Sequence, residues 1–171
     1  YNDSAVITDI FALRDGSFSN IAQSSDLGTS MQTLRNYFVY AEDLNGDGIL
    51  ELPSLLSMMY NTTEQNLIRW FTIDIDGTET NKLYTFHNFE DGWYIELSSE
   101  WIDRFAAERD GSVYTFYMWN KSYGTAVPVF TVFTLTGKDR DMQAQAQNKF
   151  PLYRGEDVVY AAKLESGSAI Y

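Results

Sequence analysis

The sequence predicts an α+β fold that is mostly antiparallel β-sheet. Five Asp-Gly pairs divide the chain into short segments, and such pairs favour tight hairpin turns because they accept positive φ. In many segments apolar residues alternate with polar ones, as they do in half-buried strands. Aromatic residues form 16% of the chain, and aromatic side chains favour the pleated surface of a sheet. The Asp-Gly pairs begin at Asp15, Asp47, Asp76, Asp91 and Asp110.

The first half of the chain predicts a meander of short antiparallel strands. The Asp15-Gly16 pair joins the first two strands, and the Asp76-Gly77 pair joins the last two. Between them, a strand over residues 36–42 leads into a glycine-containing loop. The other predicted strands cover residues 5–13, 18–22, 49–56, 67–75 and 82–87, with a helical turn near residues 30–34.

The second half predicts a separate sheet with one or two short helices. Residues 112–119 are apolar on both faces, which is typical of a central strand covered on both sides. Asp139 is suited to cap a helix over residues 139–147, because its carboxylate can accept a hydrogen bond from a backbone N–H of the first turn. The change in pattern predicts a domain boundary between residues 87 and 88. Further strands are predicted over residues 92–97, 104–109, 127–135 and 157–164, with a helical turn over residues 98–102.

Charge and composition exclude several classes of partner. The chain carries 24 acidic and 12 basic residues, a net charge of −12, whereas nucleic acids and anionic membranes attract clustered Lys and Arg. It contains no cysteine, which removes disulfides and thiolate metal sites. The longest apolar run, residues 126–135, is too short and too interrupted to span a bilayer. We expect a monomer with no nucleic-acid partner and no membrane span.

Residues 43–51, the Asp43 loop, are the strongest candidate site. Oxygen-bearing side chains recur at the alternate positions Asp43, Asn45 and Asp47. Gly48 then permits a sharp turn, and Glu51 adds another carboxylate. Ca²⁺ prefers about six to eight oxygen ligands at about 2.3–2.6 Å, and this spacing can curl several oxygens around one point.

An acidic hairpin turn without an ion is the alternative interpretation of the Asp43 loop. An ion is favoured because acceptor side chains at alternate positions repel one another unless their charge is neutralised. A helical EF-hand is disfavoured, because its twelfth position, a bidentate acid in that motif, is Ser54 here and no flanking helices are predicted. Residues 74–79 form a weaker copy of the pattern and predict an ordinary hairpin turn. A structural Ca²⁺ is the expected cofactor.

Residues 40–53 resemble the D-x-N-G-D-G turn of FG-GAP-type β-propeller repeats. They also resemble a group of cell-envelope lipoproteins of unknown function from gut Firmicutes, which carry this turn followed by Glu-x-Pro. The resemblance implies that residues 1–87 form a propeller-blade-like β-meander with a structural Ca²⁺ in its turn. The ligands that it implies are Asp43, Asn45, Asp47, the Ile49 carbonyl and Glu51.

The second half of the chain resembles a bacterial version of the PsbP-like α/β sandwich. This resemblance implies a small α/β sandwich over residues 88–171. Ser98 departs from the pattern, which usually has proline at that position. Neither resemblance implies catalytic residues. The similar segments are residues 94–101, 113–117, 128–132 and 160–162.

Catalytic and sugar-binding interpretations are weaker. His87 is the single histidine, and a lone histidine at a strand end more often packs than reacts. No Gly-x-Ser-x-Gly, P-loop or His-Glu-x-x-His pattern occurs in the sequence. Aromatic side chains can stack on sugars, but they more often fill cores. The candidates for a sugar-stacking face are Trp70, Trp93, Trp101, Trp119, Tyr84, Tyr94 and Tyr117.

These patterns together predict a non-catalytic binding or scaffolding protein that is secreted or held at a bacterial cell surface. An acidic chain without cysteine, rich in Tyr, Asn, Ser and Thr, suits that location. No signal peptide is visible, so we expect a mature or trimmed portion of the protein. The resemblance to envelope lipoproteins implies a lipid anchor in the full precursor. The expected partner is an unknown envelope protein or a glycan. A carbohydrate-binding module is the alternative function, and a hydrolase is a less favoured third one.

Overall fold

The fold is mostly antiparallel β-sheet, which confirms the predicted β-rich α+β class. A computed structural model describes residues 5–23, 28–35, 39–56, 66–120 and 124–170. Across these ranges the strands belong to three sheets, and neighbouring strands in each sheet are antiparallel. No helix in the described ranges is both long enough and apolar enough to cross a membrane.

The first sheets of the chain are a hairpin and a four-stranded meander. Strands β1 and β2 form the hairpin, and the meander has the order β3-β4-β5-β6. Proline within a strand is tolerated at a sheet edge, where its missing N–H breaks no ladder, and Pro53 lies in the edge strand. The strands are β1 (Phe11–Arg14), β2 (Ser17–Asn20), β3 (Leu52–Leu56), β4 (Leu67–Ile73), β5 (Glu79–Asn88) and β6 (Trp93–Leu97), with a 3₁₀ helix at Met31–Thr33.

The chain forms two compact units. The first comprises residues 1–57 and 64–99, and the second comprises residues 58–63 and 100–171. The first unit extends past the predicted boundary at residues 87 and 88 because β6 pairs with β5 and completes the meander. Its core is built mainly from the buried side chains of β4 and β5.

Two strands predicted in the first half of the chain differ from the structure: one is shorter than predicted, and the described part of the other makes only an isolated bridge. Of the strand predicted over residues 5–13, only the part from Phe11 onward belongs to a sheet, and Val6 makes an isolated bridge to Arg35. Residues 36–38 of the strand predicted over 36–42 lie outside the described residues. Residues 39–41 are not paired as a strand, and Glu42 forms an isolated bridge to Glu51.

The second unit contains a five-stranded antiparallel sheet. Its strand order is β10-β11-β9-β8-β7. The predicted helix over residues 139–147 is reduced to one turn, and the Asp139 side chain makes no capping hydrogen bond. Its elements are β7 (Phe105–Asp110), β8 (Val113–Asn120), β9 (Thr125–Thr136), α1 (Arg140–Gln143), β10 (Phe150–Arg154) and β11 (Val158–Leu164), with 3₁₀ helices at Ser99–Arg104 and Ser166–Ile170.

Aromatic rings fill the centre of the second unit. Phe116 of β8 stacks on Phe105, with ring centroids 5.4 Å apart, and on Phe130, with centroids 4.4 Å apart. Trp101 packs at 6.4 Å from Phe130. Because alternate side chains of a strand point to opposite faces, Tyr114, Phe116 and Met118 are buried while the residues between them are half-buried.

Candidate metal loop and aromatic cleft

The Asp43 loop is folded around the carboxylate of its first residue. Asp43 Oδ1 accepts hydrogen bonds from Gly46 N at 2.8 Å and from Asp47 N at 3.1 Å. Its Oδ2 accepts one from Gly48 N at 2.9 Å. Gly46 and Gly48 have φ of +76° and +84°, a left-handed conformation that glycine adopts at little cost. The two glycines therefore allow three consecutive N–H groups to face one carboxylate.

Asn45 and Asp47 tighten the same loop. Asn45 Oδ1 accepts from Asp47 N at 2.8 Å, and Asp47 Oδ1 accepts from Ile49 N at 2.9 Å. Each is a side chain bonded to the backbone two residues further along, the local turn that Asn and Asp favour. Ile49 thus takes part through its N–H, while its side chain is exposed.

Glu51 closes the base of the loop from a fully buried position. Its Oε2 accepts from Leu44 N at 2.9 Å, and its Oε1 accepts from Asn45 Nδ2 at 2.9 Å. Its backbone also exchanges two hydrogen bonds with Glu42, of 3.1 and 2.9 Å. A buried carboxylate needs such partners, because removing a charge from water is costly. This burial of Glu51 is not apparent from the spacing of the polar residues in the sequence.

The donor chemistry of the Asp43 loop fits Ca²⁺. All five predicted ligand residues, Asp43, Asn45, Asp47, Ile49 and Glu51, lie in one loop and offer oxygen atoms, which hard cations prefer. Within the described part of the chain, however, no three or more His, Cys, Asp or Glu side chains are grouped as metal ligands. Backbone N–H groups already compensate part of the carboxylate charge, so the repulsion expected from the spacing is reduced without an ion.

An aromatic cleft lies in the same unit. It has a volume of about 360 Å³, within the size range of small-molecule sites. One wall comes from residues 39–44, just before and within the Asp43 loop, and the others come from β4 and from the β5–β6 hairpin. Six rings line it, those of Tyr40, Trp70, His87, Phe89, Trp93 and Tyr94.

His87 lies at the centre of these rings. It faces Tyr94 across the β5–β6 pair, and their ring centroids are 5.1 Å apart at 21°. Phe89 stacks on it at 5.3 Å, and Trp70 is tilted against it at 6.3 Å. Thr85 Oγ1 accepts from Trp70 Nε1 at 2.7 Å and is 2.8 Å from His87 Nε2. Burial lowers the pKa of His87 to about 4, so the imidazole is neutral at pH 7.

One wall of the cleft is held by backbone contacts at Glu42 and Val39. Glu42 lines the cleft, and its backbone is held by the bridge to Glu51. Val39 also lines the cleft, and its carbonyl accepts a hydrogen bond from Nε of the buried Arg35. The bridge between Glu42 and Glu51 therefore ties part of this cleft wall to the Asp43 loop.

The predicted aromatic set does not form one face. Trp70 is 2% exposed and Trp93 is half-buried, whereas Tyr94 is 56% exposed at the cleft. Tyr84 lies on the opposite face of β5 from His87, since their positions differ by three. Tyr40, which the sequence analysis did not select, lines the cleft and is 65% exposed. The remaining candidates, Trp101, Tyr117 and Trp119, belong to the second unit.

No known protein family, curated protein or solved structure matches this chain. The resemblances to FG-GAP-type repeats, to envelope lipoproteins and to PsbP-like domains therefore stay predictions. What the chain does has to be argued from the geometry of the Asp43 loop and the aromatic cleft.

Proposed function

We propose that this chain is a non-catalytic binding protein of a bacterial cell envelope or exterior, and that its ligand enters the aromatic cleft. The observation that carries the proposal is the cleft itself, a concave volume of about 360 Å³ lined by six rings. Small-molecule sites usually have this form, apolar walls with a few polar groups. The partner would be a glycan or a component of an envelope protein, bound by a monomer.

The chemistry of the cleft suits binding better than catalysis. A general base works best with a pKa near the operating pH, whereas the pKa of His87 is about 4. Its Nε2 is also engaged with Thr85. The ring of His87 thus contributes packing surface to the cleft.

The Asp43 loop would hold a structural Ca²⁺ that supports the cleft wall. The proposed ligands are oxygens of Asp43, Asn45, Asp47, Ile49 and Glu51, all in one turn. When bound, Ca²⁺ would supply positive charge that compensates the carboxylates. An affinity in the millimolar class is typical of extracellular modules, which agrees with the proposed location outside the cell.

The finer architecture is also part of the proposal. The sequential antiparallel order of β3 to β6 supports a propeller-blade-like meander, since blades are four-stranded sheets. The five-stranded sheet with α1 supports a small PsbP-like α/β sandwich. A lipid anchor in a longer precursor would place both at the cell surface.

Thermal melting in Ca²⁺ tests the metal. With a Kd of about 1 mM, roughly 10 mM Ca²⁺ stabilises the folded state by about 1.4 kcal/mol, which raises Tm by about 3–5 °C. Asp47→Asn is the matched variant, because it keeps an oxygen acceptor for Ile49 N and removes one charge. We expect it to melt near the parent temperature in EDTA and to lose most of the Ca²⁺ response. If the Tm of the parent protein is the same in EDTA and in 10 mM Ca²⁺, the proposal of a structural Ca²⁺ in the Asp43 loop is wrong.

Carbohydrate binding is the second candidate function. Tyr40 and Tyr94 favour it, because both line the cleft and are more than half exposed, and exposed rings can stack on sugar faces. Binding on a glycan array that is lost in Tyr94→Ala would support this candidate.

A further inference from the structure

We infer that the aromatic cleft takes a small organic cation, of the quaternary ammonium class. This inference rests on the proposed function of the cleft as the binding site and names its ligand chemistry. The ring faces, the charge of the lining and the engagement of its polar groups each point to it.

The rings supply the attraction. The face of an aromatic ring carries partial negative charge, and a cation within about 6 Å of the ring centre gains about 0.5–2 kcal/mol. Quaternary ammonium groups suit such sites, since they are bulky, weakly hydrated and make no hydrogen bonds. Tyr40 and Tyr94, both more than half exposed, line the cleft from two different segments of the first unit, and the buried Trp70 contributes to its wall from a third. Rings from separate segments therefore line one cleft, a composition that suits an organic cation.

The charge of the lining has the matching sign. Glu42 carries the single formal charge among the described lining residues, which include neither Lys nor Arg. Its side chain is exposed at the cleft. His87 is neutral at pH 7 because burial lowers its pKa to about 4, so it does not repel a cation. An anionic ligand would meet a carboxylate and the negative ring faces.

Two polar side chains of the cleft lining, Asn88 and Thr85, are committed to the protein. Asn88 Oδ1 accepts from Glu90 N and Asp91 N, each at 3.1 Å, and its Nδ2 donates to Asp91 at 2.6 Å. Thr85 Oγ1 is engaged by Trp70 and His87. A sugar needs several hydrogen-bond partners for its hydroxyls, and with these two side chains committed, the side-chain partners left are mainly the hydroxyls of Tyr40 and Tyr94 and the carboxylate of Glu42. A cation without hydrogen-bonding groups needs none.

The test compares choline with 3,3-dimethyl-1-butanol, its neutral isostere, by calorimetry on the full chain. Both probes have the same shape, so their difference isolates the charge. We expect choline to bind at least about fivefold more tightly, in line with the energy of a cation over aromatic rings. Glu42→Gln should weaken choline severalfold and leave the isostere unchanged. Asp15→Asn is the matched control, because Asp15 is an exposed acid of the first unit in the turn between β1 and β2, outside the cleft lining.

The outcomes separate the inference from the proposed function. Equal affinity for choline and its isostere overturns the cationic ligand and leaves the cleft as a binding site. A second outcome is that the protein binds a glycan but not choline, and that Tyr94→Ala abolishes the glycan binding. This outcome overturns the inference of a cationic ligand and supports the carbohydrate candidate. If choline, the isostere and a glycan array all fail to bind, both the inference and the proposed cleft function are wrong.

Discussion

The fold strongly changes the ionisation of His87. Burial among Trp70, Phe89 and Tyr94 lowers the pKa of its imidazole from the usual 6.5 to about 4. Among the described residues that line the same cleft, Glu42 is the charged group. Thr85, which lies beside His87 on β5, carries no charge. The folded state therefore disfavours the protonated ring.

This shift makes stability depend on pH in a defined direction. As the pH falls below 6.5, the unfolded chain takes up the His87 proton before the folded chain does. The contribution of His87 to stability is thus complete above pH 6.5 and is lost between pH 6.5 and about 4. We expect a loss of about 1–2 kcal/mol, reduced from the full shift because the ring is partly exposed. Urea unfolding at pH 7.5 and pH 4.5 should show this extra loss in the parent compared with His87→Gln. Equal pH dependence in both proteins would contradict it.

Glu51 shows which part of the candidate site a sequence can predict. The alternating positions of Asp43, Asn45 and Asp47 predicted that their oxygen atoms could surround one ion, and this stays a prediction. They did not indicate that the same oxygens would bind loop N–H groups. The positive φ at Gly48 is a conformation that glycine adopts locally, whereas the burial of Glu51 depends on tertiary packing.

At the scale of elements, turns were predicted better than strand ends. Each Asp-Gly pair lies between two paired antiparallel segments, because this dipeptide accepts positive φ wherever it occurs. Strand β10 was missed, since Pro151 argues against a strand and is accepted here only at a sheet edge. The helix over residues 139–147 was overextended, because its apolar face is weak and only Ala144 is buried in the core with Val159.

The 3₁₀ helix at Ser166–Ile170 packs closely on β9, and one glycine permits it. A Cβ on Gly167 would overlap the Pro128 carbonyl oxygen and lie 3.1 Å from Val127 Cγ2. A backbone atom cannot move aside as a side chain can. We expect Gly167→Ala to lower the free energy of unfolding by about 1–3 kcal/mol, measured by urea denaturation.

Gly155→Ala is the matched control for this contact. Its Cβ would lie 3.2 Å from Tyr153 Cε1 and 3.3 Å from Val158 Cγ1, and these side-chain atoms can shift. Its effect should therefore be clearly smaller than that of Gly167→Ala. If both variants unfold at the same urea concentration as the parent, the helix does not pack as described.

At the scale of the whole molecule, each unit has its own buried core. The first is centred on Phe71 and Phe86, and the second on Phe105 and Phe116. Composition predicted the class of fold because aromatic and β-branched residues favour sheets. It did not predict the division after residue 99, which depends on the pairing of β6 with β5.

The net charge of −12 should add a long-range electrostatic attraction for the proposed cationic ligand. A negative protein attracts cations, and salt screens this attraction over a Debye length of about 10 Å at 0.1 M. We expect the affinity for choline to fall about two- to fourfold as NaCl rises from about 0.05 to 0.5 M. The affinity for 3,3-dimethyl-1-butanol should stay constant, since it carries no charge. Glu42→Gln should keep part of the salt dependence, because the rest of the acidic surface remains. The same salt dependence for both probes would show that the field of the molecule does not act on the cleft.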